Sequence, residues 1–205
     1  MTNYFITGIG TDVGKTVAAA IVTAALDADY WKPIQSGLTE TDRATVQNLL
    51  PDHTGRFHPE AYRLKTPMSP HKAAEIDGVT IDLAHVVRPQ TSRNLVVEGA
   101  GGILVPINNE QTIADLIDPL DKIILVSSGY LGSINHTLLS IAYLKSCVLE
   151  CSGIIYNHVD LGGTIDIIEK MSGVPTIGQI EKHEEITPAL VQKYAALFKQ
   201  KLESL

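Results

Sequence analysis

Short apolar runs alternate along the chain with longer segments whose apolar residues recur at helical spacing. The runs are Tyr4-Phe5-Ile6, Tyr30-Trp31, Leu95-Val96-Val97, Ile123-Ile124-Leu125-Val126, Ile154-Ile155-Tyr156 and Thr176-Ile177-Gly178. Strands that are apolar throughout belong to parallel sheets covered on both faces, because a sheet with one wet face alternates. Between them the pattern predicts helices from Gly14 to Leu26, Arg43 to Leu50, His71 to Ile76, Ile81 to Val87, Ile113 to Ile117, Ser133 to Ser146, Ile165 to Met171 and Pro188 to Leu202. Strands and helices in turn predict an α/β fold, with a mostly parallel central sheet flanked by helices on both faces. Residues 51–70, punctuated by Pro51, Gly55, Pro59, Pro67 and Pro70, read as one irregular segment. A loop of that length in a compact domain is expected to cover part of a functional site.

The last helix carries a stripe of Leu190, Val191, Tyr194, Leu197, Phe198 and Leu202, with Lys193, Lys199 and Lys201 among its polar positions. A stripe of this kind can lie on a membrane surface, but packing against a sheet is its commoner use. No apolar run approaches the roughly 20 residues of a membrane helix, and residues 1–12 lack the basic start and long apolar core of a signal peptide. The expectation is one domain over residues 1–205, in the cytoplasm, with no membrane partner. A net charge of −7, without a lysine or arginine cluster, argues against a nucleic-acid partner. Cys147 and Cys151 have no His/Cys set of zinc spacing beside them and read as reduced, buried thiols.

Candidate chemistry begins at Gly8-Ile9-Gly10-Thr11-Asp12-Val13-Gly14-Lys15-Thr16, between the first apolar run and the first helix. Strand, glycine-rich loop and helix make a phosphate cradle: successive N–H groups turn toward one anion, and the helix dipole adds its positive end. Lys15 is placed to reach the β- and γ-phosphates, and the Thr16 hydroxyl to meet Mg²⁺. Ile9 stands where the common pattern has its first glycine, and Gly8 lies one residue earlier, so this loop is a one-residue-longer variant. The chain is thus expected to be a P-loop NTPase-like, Rossmann-like three-layer sandwich.

In parallel sheets ligands bind beyond the carboxyl ends of the strands. Lys32 follows Trp31, Glu98 follows Val97, Gly129 to Gly132 follow the strand through Val126, and Asn157 follows Tyr156. All of these, with the phosphate loop, point to one cleft. Glu98 ends its strand where nucleotide hydrolases place a metal-holding acid, and with Thr16 and Asp42 it offers oxygen ligands suited to Mg²⁺. Lys32, at the end of a buried strand, has little structural reason to be there unless it meets an anion.

With these pieces in place the chain resembles the dethiobiotin synthetase family. The matching stretches are GIGTDVGKT at 8–16, WKPIQSG at 31–37, PMSPH at 67–71, VEGAGG at 97–102, LGSINH at 131–136 and the strand end YN at 156–157. The resemblance implies ATP-dependent carboxylation of 7,8-diaminononanoate by CO₂ and its closure to dethiobiotin, with ADP and phosphate released. It implies Lys15 and Lys32 as the catalytic cations and Thr16, Asp42 and Glu98 as Mg²⁺ ligands. Asp12, Val13, Gly14, Lys15, Thr16, Val17, Asp42, Glu98, Gly99, Ala100, Gly101, Asn157 and His158 would bind ATP, with Asn157 reading the adenine. Thr11, Ser36, Ser133, Ile134 and Asn135 would bind the diamine, the last three from the other subunit of a homodimer. The chain departs from the family pattern at Asp12, where Glu is common, at Tyr130, where some relatives carry Lys, and at Glu181, where Pro is frequent.

Two other readings share the expected fold. A partitioning-type ATPase usually carries a signature lysine early in the loop, where this chain has Gly10. A cobyrinate-type amidotransferase needs a glutaminase domain, for which 205 residues leave no room.

Overall fold

In a computed structural model that describes residues 1–159 and 162–205, the apolar runs pair side by side in one seven-stranded sheet. Its strands are β1 (Asn3–Gly8), β2 (Asp29–Trp31), β4 (Phe57–His58), β6 (Leu95–Gly102), β7 (Lys122–Ser128), β8 (Cys151–Asn157) and β9 (Thr176–Ile180). Their order is β4-β2-β6-β1-β7-β8-β9, and every pair is parallel. Parallel pairing requires crossovers, supplied chiefly by helices α1 (Lys15–Ala25), α2 (Asp42–Leu49), α3 (Pro70–Asp77), α4 (Ser133–Ser146) and α5 (Thr164–Ser172), with α6 (Pro188–Glu203) closing the chain.

The residues explain the helix boundaries. Thr41 caps α2, its hydroxyl accepting the Ala44 N–H, and Thr187 caps α6 by accepting the Leu190 N–H just before Pro188. Gly78 ends α3 in the left-handed conformation that favours glycine. On one face of the sheet α1 and α6 bury Ala18, Ile21, Val22, Val191, Tyr194 and Phe198 against Ile6, Tyr30 and Val96. Leu197 alone of the α6 stripe is exposed, so the stripe belongs to the core rather than to a membrane surface. The opposite face packs Ala73, Ile141, Leu144 and Ile168 over Phe5, Trp31, Val97 and Leu125. Among the described residues no helix is long and apolar enough to cross a membrane.

Three sequence expectations are corrected. Residues 51–70 are not one irregular loop: β4 extends the sheet beside β2, and β5 (Tyr62–Leu64) pairs with β3 (Ile34–Ser36) in a separate two-stranded parallel sheet. Ile34-Gln35-Ser36, Phe57-His58 and Tyr62-Arg63-Leu64 mix apolar and polar residues over stretches too short for a run or a period to show, so only pairing reveals them. The helix expected over Ile81–Val87 shrinks to a single 3₁₀ turn, Leu83–His85, started by Asp82, whose carboxylate accepts the Ala84 N–H. None of the three residues in that turn is buried, so no packed face exists to extend it. Finally, Cys151 is buried but Cys147, just past α4, is exposed.

Candidate active site

The site is built on the carboxyl ends of β1, β2 and β6, at the centre of the sheet. The loop after β1 turns through left-handed backbone at Asp12, φ 57°, and at Gly14, φ 93°. Only glycine adopts the second readily, and a Cβ there would also collide with the Asn157 amide. The Asn157 Nδ2 donates to Val13 O at 3.0 Å, so the end of β8 clamps the loop from behind. Lys15 folds back over the loop and donates to Gly10 O at 2.8 Å.

Register places the remaining charges. Tyr30 pairs with Val96 and Trp31 with Val97, which brings Lys32, the next residue, level with Glu98. Strand alternation puts Tyr30, Lys32, Val96 and Glu98 on the same face, the one covered by α1. There Lys32 Nζ donates to Glu98 Oε1 at 3.0 Å and to Gly99 O at 2.8 Å, and lies 2.7 Å from Asp42 Oδ2. The Thr16 hydroxyl stands 3.2 Å from Asp42 Oδ1 and 3.0 Å from Glu98 Oε1. Tyr30 donates to the other Glu98 oxygen, Oε2, at 2.8 Å. Asp42 is set at the start of α2, where its own N–H donates to Gln35 Oε1 at 3.1 Å. Gln35 in turn donates to Ser36 O and Gly37 O, fixing the loop between β3 and α2.

The electrostatics follow from burial and pairing. Burial, reinforced by the Lys32 charge, pulls the Lys15 ammonium down to about 8, against the opposing pull of Glu98, Asp42 and Asp12. Lys32 is buried more deeply, yet the Glu98 and Asp42 carboxylates outweigh desolvation and hold its pKa above the usual lysine value. Desolvation likewise acts to raise Asp42, but Lys32 and the Thr16 hydroxyl prevail and keep it below the usual carboxylate range. The result is two adjacent cations, of which Lys15 is the one that gives up its proton more readily.

A cavity of about 750 Å³ opens over these groups. Of the residues expected to bind, Thr11, Asp12, Gly14, Lys15, Thr16, Val17, Lys32, Ser36, Asp42, Glu98, Ala100 and Gly101 all line it. The Ser36 hydroxyl is buried there with no hydrogen-bond partner among the described residues. The far wall is Pro67-Met68-Ser69-Pro70, so the end of the 51–70 segment covers the site while its middle serves the sheet edge.

The other expected residues stand elsewhere. Val13 is buried and Gly99 offers its carbonyl to Lys32, so both act through backbone. Asn157 and His158 lie behind the loop, outside this cavity. Asn157 donates from its amide to Val13 O, and His158, at φ 54°, donates its N–H to Ile180 O. Ser133, Ile134 and Asn135 open α4 on a different surface. Ser133 is buried with its N–H on Tyr130 O, whereas Ile134 and Asn135 are exposed. Beside them a second recess, about 380 Å³, is lined by Ile9, Leu104, Val105, Leu139 and Tyr143.

Sequence reasoning passed over Tyr30, Gln35, Glu40 and Val105 as site residues. Tyr30 left a signal, standing two positions before Lys32 and hence on the same face, and Gln35 stands inside the WKPIQSG stretch at 31–37.

Among the described residues no three His, Cys, Asp or Glu side chains are grouped to hold a metal. Thr16, Asp42 and Glu98 supply a hydroxyl and two carboxylates, the partial set that Mg²⁺ accepts when phosphate oxygens and water complete its shell.

Comparison with known proteins gives the family and the fold. The family model described as an AAA domain matches residues 2–189. The ATP-dependent dethiobiotin synthetase BioD of Christiangramia forsetii is 49% identical over 201 residues, which cover 98% of this chain and 97% of that one. The enzyme of the same name from Cytophaga hutchinsonii is 48% identical over 95% of this chain and 96% of its own. Among solved structures, the MinD cell division protein of Aquifex aeolicus aligns over 100% of this chain and 98% of its own, with a TM-score of 0.60 and 16% identity. A ParA family ATPase from Chlorobium tepidum aligns with a TM-score of 0.58, also at 16% identity, covering 100% of this chain and 99% of its own. Those two likenesses are of fold alone. On the near full-length identity to the synthetases, the chain belongs to the dethiobiotin synthetase family.

Proposed function

We propose that this chain is an ATP-dependent dethiobiotin synthetase, joining 7,8-diaminononanoate and CO₂ into dethiobiotin with release of ADP and phosphate. The observation that carries the reading is one cavity in which the phosphate loop, two lysines and two carboxylates face a wall formed by Ser36 and residues 67–70. That space extends beyond a cradle for phosphates and offers room for a second substrate.

In this reading a substrate amine takes up CO₂ as a carbamate, which attacks the γ-phosphorus of ATP to give a carbamic–phosphoric anhydride and ADP. The second amine then closes the cyclic urea, expelling phosphate. Lys15, held over the loop, neutralises charge on the transferring phosphoryl group, and Lys32, from the end of β2, holds the carbamate oxygens. No covalent enzyme intermediate is needed, because positioning and charge supply the catalysis. Thr16, Asp42 and Glu98 would hold Mg²⁺, which when bound neutralises phosphate oxygens. Ser36 and Thr11 would orient the diamine, and Asn157 Oδ1, which makes no hydrogen bond among the described residues, would with His158 meet the base of ATP.

The diamine's distal carboxylate is assigned to the first turn of α4, Ser133 to Asn135, in the partner of a homodimer. The exposure of Ile134 and Asn135 and the neighbouring apolar recess support that assignment. Residues 1–205 form one domain in this reading, the two packed faces sharing one sheet, and the cytoplasm is its compartment.

The test is phosphate release from Mg²⁺-ATP in bicarbonate-buffered CO₂, with and without the diamine, and the product's mass. Release that depends on the diamine and yields the cyclic urea is the expected result. Hydrolysis indifferent to the diamine, with no such product, overturns the reading.

A further inference from the structure

We propose that Tyr30 is a positioning residue for the Glu98 carboxylate, locking it so that Oε1 alone faces the phosphate side of the site. The inference rests on the reading of Glu98 as a metal-side carboxylate. Its basis is geometric. Glu98 is buried and its two oxygens are divided between different neighbours. Oε1 receives Lys32 Nζ at 3.0 Å and stands 3.0 Å from the Thr16 hydroxyl. Oε2 receives only the Tyr30 hydroxyl, at 2.8 Å, among the described residues.

Tyr30 is itself fully buried, on the strand adjacent to Glu98 and on the same face of the sheet. Its ring is held by the core, tilted against Phe57 at 6.3 Å between centroids, so the hydroxyl cannot swing away. A carboxylate with a free second oxygen can rotate or present both oxygens to a cation. With Oε2 pinned from below, it presents one. Outer hydrogen bonds of this kind orient metal-side ligands, and losing one typically costs about 10–100-fold in metal affinity.

The experiment compares nucleotide dissociation constants in Mg²⁺ and in EDTA for wild type, Tyr30→Phe, Glu98→Gln and the double variant, using a fluorescent ADP analogue. Mn²⁺ titration of the ADP complex by electron paramagnetic resonance measures the metal directly. Phe keeps the ring packing and removes only the hydroxyl. The expected result is affinity in EDTA within about twofold of wild type, Mn²⁺ binding weakened by about tenfold or more, and no further loss when Tyr30→Phe is added to Glu98→Gln. A merely structural tyrosine would act equally in EDTA and add its loss to that of Glu98→Gln. Either of those outcomes overturns the proposal, as does Mn²⁺ affinity in Tyr30→Phe within twofold of wild type. If Glu98→Gln also leaves Mn²⁺ binding intact, it is the metal-side reading of Glu98 that fails, and the proposal with it.

Discussion

Lys32 and Glu98 meet at 3.0 Å in the interior of the sheet, with side-chain exposures of 5% and 1%. Neither charge would be tolerable there alone, and their pairing is what allows a cation to be kept out of water at the end of β2. Asp42, 2.7 Å away and less buried, completes the balance.

Replacing Lys32 by Ala therefore has two separable consequences. Breaking a buried pair by removing one partner costs about 3–5 kcal/mol, so the melting temperature falls. If Lys32 is the cation that holds the carbamate, its removal should lower turnover by about two to three orders of magnitude. Nucleotide binding, which rests on the loop and Lys15, should change only a few-fold. Equilibrium denaturation, steady-state turnover and nucleotide titration read the three effects. Normal turnover in a folded variant would remove Lys32 from catalysis.

Lys15 makes a prediction in pH. Its pKa, lowered to about 8 in the folded protein against 10.5 ordinarily, means the charged form is disfavoured by folding. Between these values the unfolded chain binds more protons than the folded one, so this group's contribution to stability rises with pH from about 8 to 10.5. An anionic nucleotide favours the protonated form, so binding near pH 8.5 should be accompanied by proton uptake. Calorimetry in two buffers of different ionisation enthalpy measures that uptake. A Lys15→Met variant should lose both the uptake and the pH-dependent gain in stability.

Gly14 tests the cradle itself. An alanine there meets the left-handed backbone penalty of about 1 kcal/mol or more and a collision with the Asn157 amide. Gly14→Ala should abolish nucleotide binding. Adding Asn157→Ala removes the collision but neither the backbone strain nor the loss of the clamp on Val13 O, so titration should show little recovery.

The two thiols should differ sharply. Cys147 is exposed, whereas Cys151 is buried and its thiol is pushed up to about 12 by desolvation. A thiolate is the reacting species, so a thiol reagent at pH 8 should label one cysteine in the native protein and two after unfolding. Labelling of Cys151 in the native state would show that β8 opens.

How far these residues could be read in advance depends on whether their placement is local. Six of the seven strands of the main sheet carry an apolar run and were legible, and so were Lys15, Thr16, Lys32 and Glu98, because strand ends and a loop–helix junction locate them along the chain. β3, β4 and β5 were not, since their two or three residues mix apolar with polar side chains, show neither run nor period, and exist as strands only through register with a distant partner. The same distinction explains Tyr30. Its bond to Glu98 links residues 68 positions apart, and only the offset between β2 and β6 brings them together. Asn157 was legible as a strand-end residue, but its tie to Val13 was not, because that depends on how closely β8 approaches the loop.

Ser36 gives the prediction in which stability and function move apart. Ser36 lines the cavity, and its hydroxyl is buried without a hydrogen-bond partner among the described residues. A buried unsatisfied hydroxyl costs about 1–3 kcal/mol, so Ser36→Ala should leave the free protein as stable as wild type or more so. If the hydroxyl is held in reserve for the diamine, the same change should raise the KM for that substrate by about tenfold, the loss of one hydrogen bond, while the KM for ATP stays put. Thermal denaturation and substrate titration together decide the matter. Reduced stability with unchanged KM would mean that the hydroxyl has a partner inside the protein and takes no part in binding the diamine.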